Sequence, residues 1–121
     1  MTWKSVRLEL AKTREFPNGS ASRAYLLRLP LTDDGCIDEA ALDALPDQAT
    51  VRRLWPSEAD LSGHLVRDGR RWAFVARHGQ QVISAFDSLP LRVGDTIELE
   101  ERGRTLPFRV AKLGELELRR A

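Results

Sequence analysis

Cysteine occurs once in the 121 residues, at Cys36. No disulfide can form within the chain, so a packed core must hold the fold, and a reducing, cytoplasmic location is expected. Histidine is confined to His64 and His78, and neither has a second His or Cys at metal-ligand spacing. No metal or other cofactor is therefore expected. Long apolar runs are missing, and none approaches the length that spans a bilayer. The opening M-T-W-K-S-V-R-L-E-L carries charge throughout, unlike a secretory leader. No membrane partner is expected. Neither sign of charge dominates: the formal net charge is +1, too small to recruit a polyanion by a global field. Lysine is scarce as well. Lys4, Lys12 and Lys112 are the only lysines among 19 basic residues. The rest are arginines, whose planar donor forks suit carboxylate and phosphate.

What is present is alternation. V-R-L-E-L-A (6–11), Y-L-L-R-L-P-L (25–31), V-R-R-L-W (51–55), W-A-F-V-A-R (72–77), V-I-S-A-F (82–86), I-E-L-E (97–100) and F-R-V-A-K-L (108–113) are period-2 segments between turn signals. Successive side chains on a strand point to opposite faces. Val6, Leu8 and Leu10 therefore share one face of the first strand, and Tyr25, Leu27, Leu29 and Leu31 one face of the second, with Arg7, Leu26 and Arg28 opposite. The sequence D-E-A-A-L-D-A-L (38–45) has helix formers, an N-cap in Asp38 and a stop in Pro46. Ala41, Leu42 and Leu45 form its narrow apolar stripe. Two turns are marginal alone, so this helix must pack on the sheet.

Between H-L-V-R and R-R-W-A-F-V, Asp68-Gly69 reads as a type I′ hairpin loop. That register sets Val66 against Arg71 and Leu65 against Trp72, with Leu65, Trp72 and Phe74 facing the core. The tail E-L-E-L-R-R-A (115–121) reads as an edge strand or a fraying end. The segment L-P-L-R-V-G-D-T-I-E-L-E-E-R-G-R-T-L-P-F-R-V-A-K-L (89–113) reads as one hairpin turning near Gly103. With Gly94-Asp95 ahead of the alternating Ile97 and Leu99, it resembles the GD-box element of small β-barrel families. That resemblance implies barrel topology, with Gly94 making a tight turn and Asp95 accepting backbone N–H groups. Sortase-like barrels share the element, but Cys36 lies far upstream in an acidic turn, so no catalytic residue carries over.

Other motifs dissolve on inspection. T-D-D-G-C-I-D-E-A resembles the centre of an EF-hand loop, yet the first, third and twelfth positions fall on Pro30, Thr32 and Ala41, which cannot supply the required carboxylates. Asp34 and Asp38 beside Cys36 oppose a thiolate. Charge is uneven: residues 31–50 hold Asp33, Asp34, Asp38, Glu39, Asp43 and Asp47 and no Lys or Arg, and an arginine-rich stretch follows.

The fold class expected is mainly β, an antiparallel barrel or strongly bent sheet of residues 1–121 as a single domain, with about six to eight strands. Its one short helix (38–45) would cover a barrel opening or edge. Function is not written in any motif, and three readings follow. The first is a small non-catalytic binding or interaction module using the polar face around Arg52, Arg71 and His64 or the open end of the barrel. The second is a single-stranded nucleic-acid-binding barrel, in which Arg52, Arg53, Trp55 and Arg71 combine phosphate contact with base stacking. The third is a small enzyme with a site around His64. The partner is then a protein or a nucleic acid, and the chain a monomer or weak dimer.

Overall fold

The computed structural model describes residues 1–116. Eight strands run in chain order around a closed antiparallel barrel. They are β1 (Thr2–Leu10), β2 (Ser20–Leu31), β3 (Thr50–Leu54), β4 (Leu61–Asp68), β5 (Arg71–Ala76), β6 (Val82–Asp87), β7 (Thr96–Glu101) and β8 (Arg104–Glu115). A helix α1 (Glu39–Ala44) and a 3₁₀ turn over Pro46–Gln48 join β2 to β3. Of the alternatives that alternation allows, closure selects the barrel over the open bent sheet. Val6 on β1 pairs with Leu27 on β2 on one side and with Leu113 on β8 on the other. Bulges at Glu9/Leu10, Arg7/Leu8 and Phe74/Val75 bend the strands that must curve to close the ring.

The inward parity of each strand builds the core. Val6, Leu8, Leu10, Tyr25, Leu27, Leu29, Leu65, Trp72, Phe74, Leu99, Phe108 and Val110 are all buried. Asp38 caps α1 as expected, its carboxylate accepting the Ala41 N–H at 3.0 Å. Leu42 joins the barrel core, while Leu45 at the helix end is 45% exposed, because Pro46 turns the chain before that face can pack. Glu39 meets Arg67 at 3.3 Å, so the acidic connection does touch the arginine-bearing sheet.

The hairpin after β4 corrects the register. Its loop is Gly69-Arg70, not Asp68-Gly69, and Gly69 has φ +61°. Glycine in the first loop position is what a II′ turn requires. The pairing slides by two residues, so each face keeps its residues while partners change. Arg71 faces Asp68 rather than Val66, Leu65 faces Phe74, and Arg67 pairs with Trp72 and lies 4.9 Å from its ring. At Gly94-Asp95 the zipping is done by the main chain. Gly94 N–H donates to the Val110 carbonyl at 2.9 Å and Val110 N–H to the Asp95 carbonyl at 2.8 Å. The carboxylate of Asp95 makes none of the hydrogen bonds found among the described side chains. Of the tail, Glu115 ends β8, Leu116 N–H bonds the Trp3 carbonyl at 3.0 Å, and residues 117–121 lie outside the described residues. No helix among the described residues is long and apolar enough to cross a membrane.

Candidate functional site

The cross-strand register sets outward residues in a row. Lys112 on β8 pairs with Arg7 on β1, Arg7 with Leu26 on β2, Leu26 with Arg52 on β3, and Arg52 with Ser62 on β4. A second row carries Ser5 opposite Arg28, and Thr50 opposite His64. Pairing between β2 and β3 stops at the Leu27–Val51 rung, and beyond it the Pro30 carbonyl binds Asp38 N–H instead. Arg28 therefore sits at a step in the barrel wall. Along these rows runs a groove of about 550 Å³ lined by Arg7, Arg28, Arg52, Arg77, Lys112 and His64, with Leu26 and Leu116 supplying apolar surface. Among the described residues no carboxylate lines it.

Two of these cations are already engaged. Arg7 pairs with Glu9 at 2.7 Å and Arg52 with Asp60 at 3.1 Å. Arg28, Arg77 and Lys112 are exposed and have no ion-pair partner among the described residues. A small net charge thus conceals a groove whose charged lining, among the described residues, is cationic, with Glu9 and Asp60 balancing two of its arginines from outside the lining.

The residues named from the sequence fall in three places. Arg52 and His64 share the groove. Arg71 is on another part of the barrel, with Asp87 at 3.2 Å and Glu100 at 2.8 Å. Trp55 is half-buried beside Arg53 and Arg23, whose guanidinium carbons lie 4.1 and 5.7 Å from its ring centre, and Arg23 also covers Phe16 at 4.1 Å. Arg53 points into the barrel and is 2% exposed. Its Nε donates to Glu101 at 2.5 Å and its Nη2 to the other Glu101 oxygen at 3.1 Å. Tyr25 donates its hydroxyl to the same carboxylate. The interior polar cluster fixes Arg53, so it is not free to meet a ligand.

That cluster makes stability depend on pH. Burial alone would keep Glu101 neutral, but the hydrogen bonds from Arg53 and Tyr25 and the guanidinium charge together hold its carboxyl below the ordinary value of 4.5. The unfolded chain then takes up that proton more readily than the folded one. This contribution is complete above about pH 4.5 and is lost as pH falls through the lower folded value. Burial, and then the acceptor Glu101, push the Tyr25 hydroxyl above its ordinary value of 10.0. Tyr25 ionises first in the unfolded chain, so stability also declines above about pH 10. Urea midpoints measured from pH 3 to 11 are expected to fall on both flanks. A Tyr25→Phe variant should lose much of the alkaline fall, and an unchanged alkaline limb would contradict this assignment.

The sequence did not single out Arg7, Arg28, Arg77, Lys112 or Leu26 as groove residues. Parity already turns Arg7 and Arg28 outward, but only the closing β1–β8 pair brings Lys112 to them. His64 has no carboxylate beside it in the groove among the described residues, and no cluster of three His, Cys, Asp or Glu converges there.

Residues 76–113, from the end of β5 into β8, match the family described as Cell division protein 48 (CDC48), domain 2. The match covers less than half of the chain and includes Arg77 and Lys112 but no groove residue from β1 to β4. No curated protein matches the chain, and no solved structure does. The similarity is one of a barrel segment.

Proposed function

We propose that this chain is a non-catalytic cytoplasmic binding module, a single barrel domain whose working surface is the groove across β8, β1, β2, β3 and β4. One observation carries the reading. A net charge of +1 is distributed so that every charged side chain lining the groove, among the described residues, is cationic. Such a surface attracts an anionic partner, and arginine forks add directional hydrogen bonds to the attraction. Arg52 and His64 belong to it. Arg53, Trp55 and Arg71 do not contribute to it directly.

The second reading, single-stranded nucleic-acid binding, draws on the same arginines. It is supported by their number and weakened by the absence, among the described residues, of any aromatic side chain from the groove lining, since sequence-tolerant strand binding relies on stacked bases. An enzymatic site at His64 lacks, among the described residues lining the groove, the neighbouring carboxylate that would orient an imidazole base.

The test is fluorescence anisotropy with a labelled acidic octapeptide of alternating Glu and Ser. Binding is expected at low salt and is expected to fade as NaCl rises from about 50 to about 500 mM, since screening shortens the Debye length. The triple substitution Arg28→Ser, Arg77→Ser, Lys112→Ser should weaken binding by at least about tenfold, as charge-assisted hydrogen bonds are lost. Arg71→Ser should leave it unchanged. An equal loss in both variants would refute the groove as the binding surface.

A further inference from the structure

On the reading that the groove is the binding surface, we infer that its partner is an extended acidic polypeptide segment whose groove-facing residues, every second one along the chain, alternate between carboxylate and apolar side chains. The floor decides this. Leu26 is half-buried, faces outward from the barrel, and sits between Arg7 and Arg52 in the same cross-strand row. Two strand spacings separate those arginines, about 10 Å. Leu116 lies at the groove as well. A purely ionic partner would leave these leucines facing water or solvated charge. A partner with apolar side chains between its carboxylates covers them while its acids reach the cations on either side, and removal of that apolar surface from water is favourable.

The barrel limits how such a segment can attach. Every strand has a neighbour on both sides, so no whole free edge is offered for strand addition. Recognition must run through side chains. From β8 to β4 the groove crosses four strand spacings, about 19 Å, which roughly six extended residues span. The cations are spread along that length and do not gather at one end, which fits repeated acids better than a single anionic head on an apolar tail. Arg28, Arg77 and Lys112 would hold carboxylates directly. Arg7 and Arg52 would have to exchange Glu9 and Asp60 for them.

Three labelled probes of equal charge separate the possibilities: a peptide (Glu-Ser-Leu-Ser)4, which sets Glu and Leu on one face when extended, its counterpart (Glu-Ser-Ser-Ser)4, and oligothymidylate. The leucine peptide is expected to bind at least about fivefold tighter than the serine peptide. Leu26→Ser, and independently Leu116→Ser, should erase that preference with far-ultraviolet circular dichroism unchanged, while Arg71→Ser, off the groove, should leave the preference intact. Equal binding of the two peptides would overturn the inference and leave the anion-binding groove standing. Oligothymidylate binding tighter than both would overturn it in favour of nucleic acid. Failure of all three probes at low salt would overturn the inference and the groove reading together.

Discussion

Glu101→Ala is expected to destabilise the protein by about 3–5 kcal/mol, the cost of leaving a buried charge without its partner. Both side chains of the Arg53–Glu101 pair are nearly inaccessible, at 2% and 1% exposure. Two guanidinium nitrogens donate to the two carboxylate oxygens, and Tyr25 donates a third hydrogen bond. Without Glu101 the guanidinium keeps, among the described residues, only Glu58 as an ion-pair partner, at 3.3 Å and 36% exposed, and the Tyr25 hydroxyl loses its acceptor. A domain of this size has roughly 5–15 kcal/mol in total, so the loss is a large share of it. Urea denaturation of Glu101→Ala should show a lower midpoint. Replacing the whole cluster tells the other half. Arg53→Met with Glu101→Leu and Tyr25→Phe should recover most of the loss, because a buried ion pair is close to neutral against apolar groups of similar volume. A Glu101→Ala cost below about 1 kcal/mol would mean the pair is solvated, since exposed pairs have values in that range.

Gly63→Ala is the second large effect, and its origin is steric. A Cβ at Gly63 would lie 1.9 Å from the Val75 carbonyl oxygen and 2.8 Å from Phe74 Cε1. That oxygen belongs to the main chain of the paired strand β5, and it cannot rotate aside as a side chain can. Overpacking in a filled interior costs about 1–3 kcal/mol, and the short approach to main chain places Gly63→Ala at the upper end or beyond. Gly114 is the control. A Cβ there meets Ser5 Oγ at 2.8 Å, a hydroxyl that can turn away. Gly114→Ala should be near neutral, because a methyl group also reduces the freedom of the unfolded chain. Matched urea midpoints for the two variants would show that β5 yields and that Gly63 is not required.

Parity made most of the interior legible. Val6, Leu8, Tyr25, Leu27, Leu65 and Trp72 alternate with polar residues, and water sorts the two sets whatever the partner strand. Closure was less legible, since it depends on where β1 meets β8, more than a hundred residues apart in rungs such as Lys4–Glu115. Arg53 shows how the site escaped detection. Its parity with Val51 pointed inward, but an arginine is stable there only because Glu101 arrives from β7, and local pattern carries no trace of that meeting. Arg52, one position away, has the same chemistry and the opposite role. The Gly69-Arg70 loop was missed because Asp-Gly is a strong turn signal in two registers that differ in which residue ends the strand.

The pairing of the first strand with the last has a consequence for synthesis. A nascent chain stopped anywhere before residue 104 holds no part of β8, so Trp3 through Leu10 wait with one flank bare. Such a fragment is a curled ribbon with two sticky margins, open to pairing with a neighbour on the same message. The long delay between making these two segments and joining them should make ring closure the slow, late event of folding.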